Sequence, residues 1–318
     1  MLALSAVPGQ TPSRAQEAGA DAVLNLATPA NVRIFRDLAY VDQAGPRQKL
    51  DLYLPFPLPA KPLPLIVYLH GGGWRKGSKA DGRPLAFRMV AQGYAVACIS
   101  YRLSVEAQFP AQLEDCKTAV RWLRGHAERY RLDPEHVGVV GVSAGGHLAA
   151  LLGVTHLVRL FDNNLNPNQS SSVQAVCDFF GPVDLVQLYE ASQKLHTPQA
   201  DEVVKLLGGD PRVLTEAARS ANPLTYIEDN VPAFFIIHGT DDTVVPPEQS
   251  RLLYDALRKQ GISAHLHLIH GAGHTGPAFI APDVNAMVDD FFASILKGEP
   301  PKLGQVVNTV TESSAVRN

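Results

Sequence analysis

HVGVVGVSAGGHLAALLG, residues 136–153, is the stretch that decides the fold. It begins as a short, almost wholly apolar run, typical of a strand covered on both faces, and it ends as a helix-like run. Between them, residues 141–145 read G-x-S-x-G, whose small flanking residues permit a tight turn from strand to helix. Such a turn holds the Ser143 hydroxyl at the end of the strand, so we predict that Ser143 is a nucleophile. Without these flanks, a glycine-rich turn free of chemistry would be the alternative.

Segments typical of strands and helices alternate on both sides of this stretch. From Pro110 onward, apolar residues recur at helical spacing, and residues 249–259 and 284–296 are also amphipathic. This alternation predicts an α/β fold with a mostly parallel sheet and helices on both faces. The first predicted strand alternates leucines with polar residues, which favours an antiparallel edge strand with one solvated face. The predicted strands are Gln48–Leu54, Leu65–Leu69, Tyr94–Ile99, His136–Val140, Val173–Phe180, Ala233–His238 and Ala264–Ile269.

The chain divides into a leader, one domain and a tail. Residues 1–30 lack the basic start and long apolar core of a signal peptide, so we predict a flexible leader, with a trimmed export signal as an alternative. Residues 31–297 form the domain, and residues 298–318 are predicted to be a loose polar tail. Two polar insertions, at about 157–172 and 184–224, interrupt the strand–helix rhythm. We predict that both form a lid above the carboxyl edge of the sheet.

Composition excludes several classes of function. A net charge of −3 does not favour a nucleic-acid partner, which requires a basic excess. No apolar run is long enough to predict a membrane span. Cys98, Cys116 and Cys177 each lie in an apolar run and are predicted to be buried free thiols. Localisation and oligomeric state stay open.

A second glycine motif, His70-Gly71-Gly72-Gly73-Trp74, follows the strand Leu65–Leu69. Such a motif supplies backbone amides that stabilise a negative oxygen during acyl transfer. We predict that the oxyanion donors are the amides of Gly72, Gly73 and Ala144. A phosphate-binding loop is the rival interpretation, but the Gly-Lys-Ser/Thr of that loop is absent. His70 itself is predicted to brace the loop through a hydrogen bond.

The acid and the base of a triad should follow Ser143 in the order acid, then histidine. Asp242 stands just after the strand Ala233–His238, and His274 stands just after the strand Ala264–Ile269. Both therefore reach the sheet edge where Ser143 lies. His265 and His267 share one strand face, which we expect to be exposed, and they lack a third ligand. No metal site is therefore predicted.

HGGGW, GVSAGG, HGTDDTVVP and HGAGH occur in this order. With them the chain resembles the hormone-sensitive-lipase-like esterases, and most of all the bacterial branch of feruloyl- and acetylxylan-esterase-like enzymes. The resemblance covers about residues 36–296. It implies the α/β-hydrolase fold and carboxylesterase activity without a metal or an organic cofactor. In that family's turn pattern the acid falls on Asp242 and the variable position on Asp241. Val142 departs from the family, which often has an acid before the serine.

The sequence thus predicts a serine carboxylic ester hydrolase that acts on a small-molecule ester through an acyl-enzyme. Short or compact acyl groups are expected, with acetylated or feruloylated carbohydrate as one option. Trp74 and Val245 are predicted to line the substrate pocket, although packing alone would also explain Trp74. A peptidase of the prolyl-oligopeptidase type is one rival, but the chain before His70 is too short for a propeller. A non-catalytic ligand-binding module of the same fold is the other.

Overall fold

A nine-stranded sheet runs through the residues that the computed structural model describes, which are 27–163, 165–302 and 310–314. The strands lie in the order β1-β2-β4-β3-β5-β6-β7-β8-β9. β2 is antiparallel to both of its neighbours, and the remaining pairs are parallel. The strands are β1 (Val32–Ala39), β2 (Lys49–Pro55), β3 (Leu63–Leu69), β4 (Ala95–Ile99), β5 (Leu132–Val142), β6 (Ala175–Phe179), β7 (Ala233–Gly239), β8 (Ala264–His270) and β9 (Val310–Ser314).

Helices cover both faces of this sheet, which confirms the predicted α/β architecture. α1 and α9 pack with one buried apolar cluster, and α2, α4 and α8 pack with the other. None of the helices in the described residues is both long and apolar enough to cross a membrane. The helices are α1 (Arg83–Ala91), α2 (Ala111–Gly125), α3 (Ala127–Tyr130), α4 (Ala144–Val154), α5 (Leu185–Leu195), α6 (Gln199–Leu207), α7 (Thr215–Ser220), α8 (Glu248–Lys259) and α9 (Pro282–Leu296).

The seven predicted strands correspond to β2–β8, but the environment predicted for β2 is wrong. β2 is antiparallel, yet β1 lies outside it and forms the edge of the sheet. α1 packs on the face that we expected to be solvated, with the Phe87 and Tyr53 ring centroids 5.9 Å apart, and Asp51 and Tyr53 are both buried. At this buried position Asp51 accepts hydrogen bonds from Lys79 and from the Asp37 amide. The three cysteines are buried and free, as predicted.

The two insertions do not share one edge of the sheet, so the prediction of a two-part lid is wrong. The 157–172 segment joins the end of α4 to the start of β6, and it therefore lies at the amino edge of the parallel strands. Two side chains of α2 hold this segment, because Lys117 donates to Val158 O and Arg121 donates to Asp162. Only the second insertion, which follows the carboxyl end of β6, rises above the site. It contains α5, α6 and α7 rather than an irregular loop.

The sequence predicts a loose tail from residue 298, whereas residues 310–314 form β9 beside β8. This added strand explains the two histidines of β8. His265 and His267 are buried, and their ring nitrogens form hydrogen bonds with Thr311 and Ser313 of β9. The expectation of an exposed histidine face is therefore wrong, because β9 supplies neighbours that β8 alone does not have.

Candidate active site

Ser143 stands on a sharp turn between β5 and α4. Its backbone has φ 55° and ψ −119°, a conformation that is costly for a residue with a side chain and is typical of functional turns. The turn is tight because two glycines lie against other backbone: a Cβ on Gly141 would lie 2.0 Å from Gly145 O, and a Cβ on Gly145 would lie 2.1 Å from Leu69 O. The Ser143 amide donates to Phe179 O at 2.8 Å, which fixes the turn to β6.

Three side chains from three loops form one hydrogen-bonded line. Ser143 Oγ lies 2.9 Å from His274 Nε2, and His274 Nδ1 lies 2.7 Å from Asp242 Oδ2. The Asp242 carboxylate accepts a hydrogen bond from His274 Nδ1, so that nitrogen carries the proton. His274 Nε2 is then left to accept from the serine hydroxyl. The structure therefore brings together the residues that the sequence singled out as nucleophile, base and acid.

The loops after β7 and β8 are tied to each other, which sets the spacing between Asp242 and His274. The Asp241 amide donates to Ala272 O at 2.9 Å, and the Thr240 amide donates to Ile269 O at 3.0 Å. Asp241 itself is exposed, and its carboxylate accepts a hydrogen bond from the Thr240 hydroxyl. The structure thus directs Asp242, and not its neighbour, toward the histidine.

Asp242 accepts four hydrogen bonds, two on each oxygen. Oδ1 accepts from the amides of Val244 and Val245 at 2.8 and 2.9 Å, and Oδ2 accepts from His274. His238 Nε2 lies 3.2 Å from Oδ2 and 2.9 Å from Val245 O, so this nitrogen bears a proton. Burial alone would raise the pKa of Asp242, but the hydrogen bonds from His238 and His274 outweigh it and hold the pKa well below its usual range. The carboxylate therefore stays charged.

The glycine motif folds as a loop that faces Ser143. A Cβ on Gly71 would lie 2.9 Å from Val142 O and 3.4 Å from Ser143 Cβ, so this loop and the serine turn are in direct contact. Within the described residues, the amides of Gly72 and Gly73 donate to no backbone acceptor, and the Ala144 amide donates to none outside α4. All three residues line the cavity beside Ser143. They are therefore available to an oxygen bound there. His70 braces the loop as predicted, because its Nδ1 lies 2.8 Å from Gly71 O.

Trp74 and His147 form a buried pair under the loop. Trp74 Nε1 donates to His147 Nδ1 at 3.2 Å, and His147 Nε2 lies 2.7 Å from Ala221 O. Burial lowers the pKa of His147 to about 4 despite the hydrogen bond to Ala221, so the ring is neutral and can accept from the indole. Trp74 thus contributes both to packing and to the wall of the cavity, where Val245 also lies.

The cavity has a volume of about 480 Å³ and opens beside Ser143 and His274. Its lining combines apolar residues from the domain with residues from α5 and α6 of the insertion. The residues that line it, in addition to Ser143, His274 and the oxyanion candidates, are Gly71, Trp74, Lys76, Val142, Pro182, Leu188, Pro198, Gln199, Glu202, Val244, Val245 and Thr275. Across the described parts of the chain, no cluster of three or more His, Cys, Asp or Glu side chains could hold a metal ion.

Comparison with known proteins assigns the chain to a family. Residues 50–257 match the BD-FAE family. The chain belongs to the BD-FAE family. Among curated proteins it is similar to Esterase LipC of Mycobacterium tuberculosis, with 33% identity over 72% of this chain and 57% of LipC. The chain thus spans little more than half the length of such relatives.

Solved structures confirm that this BD-FAE chain has the α/β-hydrolase fold. A truncated carbohydrate esterase from gut microbiota aligns with a TM-score of 0.73 and 31% identity, covering 83% of this chain and 96% of that protein. Esterase B of Lactobacillus rhamnosis aligns with a TM-score of 0.74 and 25% identity, covering 89% of this chain and 93% of that protein. The resemblance predicted from the motifs is therefore confirmed.

Sequence reasoning missed three side chains of this BD-FAE site. His238 lies behind Asp242, and Phe180 packs against the His274 ring with centroids 4.8 Å apart. Glu202 reaches the cavity from α6. His238 stands inside the quoted motif HGTDDTVVP, and Phe180 ends the predicted strand Val173–Phe180, but neither pattern says where the side chain is directed. Nothing in the sequence around Glu202 marks it.

Proposed function

We propose that this chain is a serine carboxylic ester hydrolase that works through an acyl-enzyme. The observation that carries the proposal is the line from Ser143 Oγ to His274 Nε2, at 2.9 Å, and from His274 Nδ1 to Asp242 Oδ2, at 2.7 Å. This arrangement has the geometry of a nucleophile, a general base and an orienting acid. It opens into a cavity large enough for a small ester.

In the first half of the reaction, His274 Nε2 takes the proton of Ser143 as Oγ attacks the ester carbonyl. The carbonyl oxygen becomes negative and is held by the amides of Gly72, Gly73 and Ala144. The His274 imidazolium then gives its proton to the leaving alcohol, and the acyl group remains on Ser143.

In the second half, water takes the place of the alcohol. His274 accepts a proton from that water, which attacks the acyl-enzyme, and the same amides hold the oxyanion again. Collapse of this intermediate returns the proton to Ser143 and releases the acid. Asp242 stays ionised throughout, because it keeps the Nδ1 proton in place and stabilises the imidazolium.

We further propose that the substrates have short or compact acyl groups, with acetylated or feruloylated carbohydrate as one class. The cavity has a volume of about 480 Å³ and is lined by both polar and apolar groups. These features support a small, partly polar ester as substrate rather than an ester with a long chain. The similarity to a carbohydrate esterase supports the same class.

The test is Ser143→Ala with Ser104→Ala as the matched control. Ser104 stands behind the oxyanion loop, and its buried Oγ has no hydrogen-bond partner in the described residues, so its removal should change little. With an acetate aryl ester, Ser143→Ala should lower kcat/KM by at least about 10⁴. A fluorophosphonate should add one adduct to the wild type and to Ser104→Ala, but none to Ser143→Ala.

Equal turnover in the two variants would contradict the assignment of Ser143. The rivals give different results with the same preparation. A peptidase would cleave a peptide anilide as well as the matching ester, an ester hydrolase would leave the anilide intact, and a non-catalytic module would leave both substrates intact.

A further inference from the structure

Glu202 places a carboxylate beside the loop that we propose to hold the oxyanion. A Cβ on Gly73 would lie 2.7 Å from Glu202 Oε2, so the acid stands directly against this glycine. The Glu202 side chain is only 17% exposed and forms part of the cavity wall. A negative group at this place opposes the negative charge that develops in the reaction. Its position therefore calls for another explanation.

Within the described residues, only one of the two Glu202 carboxylate oxygens has a partner. Oε1 lies 3.4 Å from the Arg75 guanidinium, but the buried Oε2 has no hydrogen-bond partner in the described part of the chain. Gln199, one turn earlier on α6, also lines the cavity and also has a buried Oε1 without a partner there. Residues three apart share a helix face, so α6 directs two unused acceptors to one side of the cavity.

The position of α6 is fixed by the rest of the domain, so Glu202 does not depend on a mobile lid. The Phe109 amide donates to Leu206 O at 2.9 Å, and Val203 and Leu206 are fully buried. The last torsion of a glutamate side chain is broad, so a small rotation turns Oε2 from Gly73 toward the cavity. A substrate donor can therefore reach it without movement of the helix.

We infer that Glu202 is a specificity-determining residue that accepts a hydrogen bond from a hydroxyl group carried by the ester next to its scissile carbonyl. This inference rests on the proposed ester hydrolysis. A hydroxyl fits better than an ammonium group, because Arg75 and Lys76 already place positive charge at this wall. A carboxylate on the substrate would be repelled by Glu202. Burial raises the pKa of Glu202 against the opposing effect of Arg75, which agrees with a carboxylate short of donors.

The test uses isosteric ester pairs in which one hydroxyl replaces one methyl group. 2-Hydroxyethyl acetate against propyl acetate places the hydroxyl on the alcohol, and ethyl glycolate against ethyl propionate places it on the acyl group. The measured quantity is the ratio of kcat/KM within each pair. Comparing this ratio between a variant and the wild type cancels the intrinsic reactivity of the esters. The pair that responds identifies which side of the ester carries the hydroxyl.

Glu202→Leu should lower the hydroxyl-to-methyl ratio of one pair about tenfold, since hydrogen bonds to charged groups have strengths of that order. Glu202→Gln keeps an acceptor and should lower it less. Asp201→Asn removes the adjacent, exposed acid and should leave both ratios unchanged. Arg75→Gln breaks the ion pair but keeps the carboxylate, so the preference should persist.

The inference is overturned if Glu202→Leu leaves both ratios at their wild-type values, or if Arg75→Gln abolishes the preference as fully as Glu202→Leu does. The second result would mean that Glu202 acts only through its ion pair. Failure of the proposed function looks different, because the wild type would then hydrolyse neither member of either pair.

Discussion

Replacing Asp242 by asparagine tests the site most sharply, because it changes one atom of a carboxylate that accepts four hydrogen bonds. Two of these bonds reach Oδ1, from the Val244 and Val245 amides, and the other two reach Oδ2, from His274 and His238. An amide has one accepting oxygen and one donating nitrogen. In either orientation, the new side chain would therefore point its NH₂ group at two other donors.

The cost follows from which pair of donors loses its acceptor. If the oxygen stays with the Val244 and Val245 amides, His274 can bond the new NH₂ group only by giving up its Nδ1 proton. Nε2 then carries the proton and cannot take one from Ser143. Holding the wrong tautomer costs on the order of 10⁴ in kcat, or about 5 kcal/mol of activation free energy. Buried donors left unpaired cost about 1–3 kcal/mol each, so the free energy of unfolding should fall by roughly 2–4 kcal/mol.

The assay is steady-state hydrolysis of a fast aryl acetate, together with urea unfolding. Asp241→Asn is the matched control, because Asp241 is exposed and its variant keeps an oxygen to accept from the Thr240 hydroxyl. It should retain turnover within about threefold, since surface changes of this kind are nearly neutral. If Asp241→Asn were crippled and Asp242→Asn were not, the acid would be the other residue and the tautomer argument would be wrong.

Three further predictions concern other parts of the site. Folding lowers the pKa of His147 to about 4, below its unfolded value near 6.5. The contribution of this residue to the free energy of unfolding is therefore fully present above pH 6.5 and is lost as the pH falls toward 4. Urea unfolding should show a loss of about 2 kcal/mol through this residue between pH 7 and pH 5. His147→Gln should lessen this loss. If the free energy of unfolding of the variant had the same pH profile as that of the wild type, the role given to His147 would be wrong. Gly73→Ala should lower kcat/KM at least about tenfold, because φ is +60° and the new Cβ would strike Glu202, whereas Gly45→Ala should be mild, with only Gln48 at 3.9 Å. Across p-nitrophenyl esters from acetate to palmitate, kcat/KM should fall at the longer chains, and a steady rise would contradict a compact pocket.

Much of this protein could be predicted because its determinants are local. The turn at Ser143 needs small residues at fixed positions, so residues 141–145 identify it in any chain that places them between a strand and a helix. Parallel strands bring their carboxyl ends to one edge, which is why Asp242 and His274 could be assigned from the strands before them. The short apolar runs of β3–β7 indicate strands because a strand covered on both faces has no polar side.

Other features depend on residues that are distant in sequence. Asp51 and Tyr53 of β2 have the pattern of an exposed edge, but Phe87 of α1 packs on Tyr53, and Lys79 and the Asp37 amide donate to Asp51. His265 and His267 are covered by β9, whose short, polar sequence has no strand signal of its own. A strand's neighbours decide which of its faces meets water, and the alternation within that strand does not contain this information.

The sequence by itself determined the nucleophile turn, the order of the triad residues and the α/β class, because each is set by residue type at short range. Only the tertiary structure decided which insertion covers the site and which side chains complete it. No residue of the 157–172 segment lines the cavity beside Ser143, whereas α6 lines it and brings Glu202 against Gly73. These two residues are 129 positions apart in the chain. Their contact arises from packing between helix and loop, which no local pattern of residues encodes.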